Sequence, residues 1–344
     1  MQLINTLRPQ VQINSVIVKP KRIKKSEESK SERIQIKPNT LINGDGIELV
    51  KHIQTESIHA IISDIPYGIG YGEWDVLHNN KNSAYGGQSS AQEKSQLFKR
   101  RGKPLNGWSK EDKKIPLEYQ EWVSSFSKSW FDVVKPGASI FIFAGRQMAH
   151  RVIISLEDAG FTYKEMIAWQ RDRAPHRAQR ISAVFERRKD DESAKLWKGW
   201  RVANPRPLFE PILWFQKPYP IGTTLADNIV KNGVGAWNEN ALTKYNLNKN
   251  VMNQSNILTV NVESSDRGLH ETQKPLDLMK LLVELVTVEG QCILDPFAGS
   301  GTTLVASKEL GRNYIGFEVN KEIHDIAKKR LSIIDYEPIR KNQN

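Results

Sequence analysis

The chain has 344 residues, 39% hydrophobic and 26% charged, which is enough apolar content for a packed core and too much for wholesale disorder. No apolar run reaches the roughly 20 residues of a membrane-spanning helix, and no apolar segment with a small-residue cleavage site marks a secretory leader. The formal net charge is +11, which suits a polyanionic partner.

The positive charge is concentrated. Residues 1–40 hold nine Lys/Arg against three Asp/Glu, and residues 164–217 hold thirteen against seven, so each segment carries +6. The remainder is nearly neutral. Such clustering fits nucleic acid, although a solvated surface would show the same excess. The single cysteine, Cys292, excludes an intrachain disulfide and a cysteine-built metal cluster. No metal is expected, and a reducing cytoplasm is the expected location.

Residues 1–38, with "VKPKRIKKSEESKSERIQIKP", are basic and lack periodicity, and are expected to form a flexible arm. Regular patterning starts at Thr40. "TLING" predicts a strand ending in a turn at Asp45, "GIELVKHI" a helix, and "IHAIISD" the next strand. That strand runs into "SDIPYGIGYGEWD", residues 63–75, where a core strand ends in a carboxylate, a proline, an aromatic and glycines. Residues 78–118 form a long polar loop containing Lys99-Arg100-Arg101. An insertion of this length is functional or disordered, so it either closes over a ligand or has no fixed structure.

"LEYQEWVSSFSKSWFDVV" has helical spacing and is expected to close at Lys135-Pro136-Gly137. "ASIFIFAG" predicts a buried strand, "RQMAHRVIISLEDAG" a helix, and "TYKEMIAWQ" and "EPILWFQK" two further strands separated by a basic, aromatic-dotted stretch. Residues 218–265 are expected to be mixed loop. "KPLDLMKLLVELVT" predicts a helix beginning at Pro275, followed by strand, glycine loop and helix in "CILDPFAGSGTTLVASKELG". "YIGFEV" is a strand and "KEIHDIAKKRLSII" a closing helix. This alternation predicts a mostly parallel, doubly wound α/β sheet.

Two motifs point to a ligand. In "LDPFAGSGTT" a strand ends at Asp295, and Gly299 and Gly301 allow a tight turn and close approach by a ligand before the helix starts. No Gly-Lys-Ser/Thr follows, so it is not a phosphate loop, and its spacing is not that of a dinucleotide fingerprint. Glu318 ends the next strand, where an acid can bind a ribose diol.

Taken with "SDIPYG", these motifs resemble the amino-DNA methyltransferases, the adenine-N6 and cytosine-N4 enzymes of restriction–modification systems. Their target-base motif is Asp/Asn/Ser-Pro-Pro-Tyr/Phe. Asp64-Ile65-Pro66-Tyr67 is similar to it, with Ile65 where the family usually has its first proline. The base motif precedes the cofactor loop, which is the order of the family's β class. The resemblance implies a circularly permuted, Rossmann-like fold of seven strands with an inserted target-recognition region. "CILDP" and "YIGFE" stand as its first and second strands, "TLINGD" and "IHAIISD" as its third and fourth, and "SIFIFAG", "YKEMIAWQ" and "EPILWFQK" as its fifth to seventh. The implied division is an arm over 1–38, a catalytic part over 39–170, target recognition over 171–267 with a strand near 210–217, a cofactor part over 268–335 and a tail over 336–344.

It also implies S-adenosylmethionine as cofactor and double-stranded DNA as partner, with a flipped base held by Asp64, Ile65, Pro66 and Tyr67. Asp295, Phe297, Gly299, Gly301 and Glu318 would line the cofactor. "HETQKP" is similar to the class motif His-Pro-Thr-Gln-Lys-Pro, with Glu271 replacing proline, and assigns Thr272 and Lys274 to the cofactor's carboxylate. Asp45 falls where the family contacts the adenine ring; an Asp after a strand is also a common turn former. Arg171, Arg173, Arg177, Arg180 and Arg201 would meet DNA, along with Lys99, Arg100 and Arg101. A homodimer, a cognate restriction endonuclease and a bacterial, nucleoid-associated location are further implications. The leading Asp favours adenine N6. Cytosine N4 stays open, as does an RNA-directed or non-catalytic role.

Overall fold

The computed structural model describes residues 35–68, 114–171, 178–202, 204–247, 255–262 and 273–334. The basic arm, the tail and nearly all of the polar loop lie outside them.

Eight strands form one sheet: β1 (Thr40–Asn43), β2 (Ile58–Asp64), β3 (Val134–Phe143), β4 (Thr162–Gln170), β5 (Phe209–Gln216), β6 (Ile257–Leu258), β7 (Cys292–Asp295) and β8 (Asn313–Glu318). Their spatial order is β1-β8-β7-β2-β3-β5-β4-β6. Pairing is parallel except at β5, which runs antiparallel to both β3 and β4. The seven expected strands are present, and β6 adds an eighth at the edge. Its two residues are too few for a period-two pattern to show in the sequence.

Along the central strands, side chains alternate between two apolar layers. Ile140 and Ile142 of β3, Leu213 and Phe215 of β5, and Cys292 and Leu294 of β7 enter one core. Phe141, Phe143, Ile212 and Ile293 enter the other. The first core is covered by α2 (Ile115–Val133), which contributes Tyr119, Val123, Phe126 and Trp130, and by α3 (Ala149–Asp158), which contributes Val152 and Leu156. The second is covered by a later helix, Leu276–Val286, which contributes Leu278, Leu281, Leu282 and Leu285. Helices on both faces of a largely parallel sheet account for strands that are apolar on both sides.

Two local expectations are corrected. Lys135-Pro136-Gly137 does not terminate a helix into a loop, because β3 already begins at Val134 and runs through it. The pairing with β2 jumps from Ile58–Val134 to Ala60–Ser139, so the extra residues are taken up as a bulge, with Gly137 at φ 87°. Residues 218–265 are not all loop. They include α6 (Leu225–Asn232), closed by a capping box at Thr224 and by Gly233, and α7 (Glu239–Tyr245), capped by Asn238, as well as β6. The basic stretch before β5 likewise contains α4 (Ser182–Arg187) and α5 (Asp191–Leu196). After α7 come α8 (Leu276–Val286), the helix over the second core, then α9 (Thr302–Glu309) and α10 (Lys321–Ser332).

Candidate active site

β2 and β7 are parallel neighbours, paired at Ala60–Ile293 and Ile61–Leu294. Their carboxyl ends therefore emerge side by side, at the point where the chain winds outward in both directions, and such an edge is where open α/β sheets bind ligands. Asp64 ends one strand and Asp295 the other. Ser63 joins them: its hydroxyl donates to Asp295 Oδ1 at 2.7 Å. The Phe297 backbone N–H donates to the same oxygen at 3.2 Å. Burial nevertheless pushes the Asp295 carboxyl up to about 7, against these hydrogen bonds and one from Thr303.

The base motif is built into the core. Ile65 is 1% exposed and belongs to the apolar cluster beneath α2, so the side chain that replaces the family's proline anchors the loop by packing. The Tyr119 hydroxyl of α2 donates to the Pro66 carbonyl at 2.8 Å. Gly68 has φ 65°, and a β-carbon there would lie 2.4 Å from the Tyr119 ring, so the turn admits only glycine. Tyr67 continues past Asp64, and its hydroxyl lies 3.0 Å from Asp64 Oδ1 and 2.5 Å from Glu210 Oε1.

Lys274, just before α8, reaches the centre of this group. Its ammonium lies 2.6 Å from Asp64 Oδ2, 3.0 Å from Glu210 Oε1 and 3.2 Å from the Tyr67 hydroxyl. It is 6% exposed and sits over the rings of Phe143 and Tyr67. Expected at the cofactor's carboxylate, it directs its donors to three acceptors of the chain. Burial alone would lower the ammonium's pKa; Asp64 and Glu210 outweigh that and hold it above its ordinary value. Burial raises the Asp64 carboxyl, opposed by Lys274 and reinforced by Glu210. Burial would raise Glu210 too, but Lys274 and the hydrogen bond from Tyr67 hold it below the usual range. The two carboxyls are thus driven apart, the pattern of a site that assigns them different tasks.

The glycine loop faces open space. A β-carbon on Gly299, at φ 53°, would meet nothing within 4 Å. On Gly301, at φ 80°, it would lie 2.9 Å from Ala327 Cβ. The Gly299 N–H donates to Glu318 Oε2 at 2.9 Å, and the Asn320 N–H to Glu318 Oε1 at 2.8 Å. Each oxygen keeps acceptor capacity for a hydroxyl. Arg330 of α10 holds the loop from behind through the Ser300 carbonyl and the Thr302 hydroxyl, at 2.6 and 3.0 Å. Gln273 lies 3.4 Å from the Ser300 hydroxyl through Oε1, while its buried Nε2 has no acceptor among the described residues. An orphaned donor beside an open glycine loop fits a bound polar ligand.

Asp45 caps α1 (Gly46–Leu49) by accepting from the Ile47 N–H at 2.9 Å. Its turn abuts the loop, since a β-carbon on Gly46 would lie 2.0 Å from the Pro296 carbonyl oxygen. Phe297 packs its ring against Trp122, Phe126 and Trp130 of α2. Thr272 lies outside the described residues.

Of the basic residues, Arg171 sits at the site's mouth, 3.7 Å from Glu210 Oε2 and over the Trp169 ring. Arg180 and Arg201 meet in an isolated antiparallel bridge, and with Arg206 they line a groove of about 660 Å³. Arg173, Arg177, Lys99, Arg100 and Arg101 lie outside the described residues. Sequence reasoning missed Glu210, Gln273, Arg206 and Arg330. Glu210 had one visible signal: it is the only acid between Glu192 and Asp227, in a stretch otherwise basic.

Comparison with known proteins places the chain in a family. Residues 58–329 match the N6/N4 family model described as DNA methylase. Over 293 residues the chain is 63% identical to the Type II methyltransferase M.HindIII of Haemophilus influenzae, covering 85% of this chain and 95% of that one. Among solved structures, a DNA modification methylase of Thermus thermophilus in complex with S-adenosyl-L-methionine is similar with TM-score 0.53 and 17% identity, over 86% of this chain and 93% of that one. The cytosine-N4-specific PvuII DNA methyltransferase is similar at TM-score 0.53 and 16% identity, over 88% and 89%. The chain therefore belongs to the N6/N4 DNA methylase family, the S-adenosylmethionine-dependent amino-methyltransferases of DNA.

Proposed function

We propose that this chain methylates the exocyclic amino nitrogen of one base in a specific site of duplex DNA, as the modification enzyme of a restriction–modification system. The observation that supports the reading is that Asp64 and Asp295 end the adjacent parallel strands β2 and β7, tied by the hydrogen bond from Ser63, the neighbour of Asp64, to Asp295: a base acceptor would lie beside a cofactor loop. The target atom is out of reach inside a duplex, so the nucleotide must flip out of the stack.

S-adenosylmethionine, when bound, supplies a methyl group on a sulfonium sulfur. The residues that would hold it are the Gly299–Gly301 backbone, Glu318 toward the ribose hydroxyls, and Asp295, Phe297, Asp45 and Thr272 around them. The open face of Gly299 and the orphaned Gln273 donor support that fit. An aromatic amino nitrogen is a poor nucleophile because its lone pair is delocalised into the ring. Asp64 and the Ile65 carbonyl accept its two hydrogens, which frees the lone pair and orients it. Tyr67 offers a ring face to the base, and such stacking contributes roughly 1–3 kcal/mol. Positioning and fixed charge supply most of the acceleration. Asp64 is the carboxyl suited to hold the departing proton, because burial already raises it. Arg171, Arg180, Arg201 and Arg206 grip the DNA, with Arg173, Arg177 and Lys99-Arg100-Arg101 as further contacts.

The leading Asp of the motif favours adenine N6. Mass spectrometry of nucleosides from a methylation-free host expressing the chain tests this, with Asp64→Ala as control. N6-methyladenine that depends on Asp64 is the expected outcome. N4-methylcytosine would move the target within the family, and the absence of both marks would overturn the reading.

A further inference from the structure

The base motif of residues 64–67 supplies an acceptor and a ring face, but it does not hold them in place. The groups that do come from elsewhere in the chain. Lys274 arrives from the segment before α8, 210 residues after Asp64. Glu210 arrives from the start of β5, 143 residues after Tyr67. Resting on the function proposed above, we propose that Lys274 and Glu210 are positioning residues of methyl transfer: Lys274 orients Asp64 as an anion, and Glu210 retains Lys274 and pins the Tyr67 ring.

The geometry supports each half. The Lys274 ammonium has three hydrogens and three acceptors, on Asp64, Glu210 and Tyr67, at 2.6, 3.0 and 3.2 Å. A buried ammonium satisfied in this way has no free rotation. It occupies Asp64 Oδ2, while Oδ1 faces the Tyr67 hydroxyl. The side chain of Asp64 is still 26% exposed, so the carboxylate is fixed on its protein side and open toward an incoming amino group. The phenol is the second element to be fixed. Its one hydrogen is offered to two carboxylates and lies closer to Glu210, at 2.5 Å against 3.0 Å. A hydroxyl tethered in this way fixes the direction of the ring's long axis, and with it where the ring lies beside Asp64.

The groups facing Asp64 are Lys274 before α8, Glu210 on β5, Tyr67 on its own loop and Asp295 on β7; Arg171 and Arg146 act on Glu210. Removing either partner therefore has a signed consequence. Lys274→Met deletes the charge that favours ionised Asp64 and leaves the repulsion from Glu210. Glu210→Gln deletes the repulsion and leaves Lys274. An opposite charge at this range shifts a carboxyl by about 1–3 pH units.

The test is the single-turnover rate of methyl transfer to duplex DNA as a function of pH, for the unchanged protein, Lys274→Met, Lys274→Arg and Glu210→Gln. Thermal unfolding and cofactor binding serve as controls for folding. The acid limb is expected to move to higher pH in Lys274→Met, to lower pH in Glu210→Gln, and back toward the original in Lys274→Arg. A purely structural role would lower the rate and leave the limb in place. If Lys274→Met does not fold, Glu210→Gln, which conserves volume, carries the test alone. Limbs that stay fixed, or that move the same way, overturn the proposal while methyl transfer itself stands. An unchanged protein that transfers no methyl overturns the function on which it rests.

Discussion

The acidic centre and the basic groove of this chain solve opposite problems. At Asp64, Glu210, Tyr67 and Lys274, every ionised group meets another within 3.2 Å, and the lysine is nearly out of solvent. At Arg180, Arg201 and Arg206 the guanidiniums are exposed and line an open groove. Charges in the first region are oriented before any ligand arrives; those in the second gain most of their partners from it. Geometry at the first should therefore control rate. Charge count at the second should control affinity and its dependence on salt.

The contrast can be broken in graded steps. Asp64→Ala should lower the transfer rate most, by roughly 10²–10⁴-fold, while DNA and cofactor binding persist; a comparable loss of DNA affinity would erase the distinction between the regions. Next are the two loop glycines. Gly299→Ala strains a positive φ and sends its methyl into the open space, so cofactor affinity should fall more than stability. Gly301→Ala drives its methyl against Ala327 at 2.9 Å, so stability should fall first. Isothermal titration and thermal unfolding separate the two outcomes.

A third step concerns pH. The Asp295 carboxyl is raised to about 7 by burial, above its unfolded value of about 3.9. Its protonated form therefore favours the fold fully below about pH 4, and that contribution is lost as the pH rises through about 7. Asp295→Asn keeps the Ser63 hydrogen bond and removes the titration. It should raise the Tm relative to the unchanged protein at pH 8 and leave it unaltered near pH 4. The smallest effects belong to the groove. Alanine at Arg180, Arg201 or Arg206 should weaken DNA binding modestly and reduce the salt slope by about 1 for each phosphate that is no longer neutralised, with the rate at saturating DNA unchanged. A fall in that rate would show the groove to be part of the chemistry.

What was legible in the sequence follows from local physics. The base motif and the glycine loop were visible because each is contiguous and uses residue types with few other purposes at a strand end. Strand positions followed from apolar runs with two-sided burial. The failures have equally local causes. Lys135-Pro136-Gly137 resembles a terminator, yet a bulge in β3 accommodates it. Residues 218–265 are rich in Asn, Gly and Thr, which here cap short helices, as Thr224, Gly233 and Asn238 do, where loop was expected.

By itself, the sequence determined the order of the motifs, and with it the permuted winding of the sheet, the glycine loop and the strand-end carboxylates Asp64 and Asp295. The tertiary structure decided which charges meet. No periodicity relates Asp64 to Glu210 or Lys274, because their proximity depends on β5 running antiparallel between β3 and β4 and on the segment before α8 crossing the end of β2. Such contacts are set by the packing of whole elements, and local residue preferences carry no information about them.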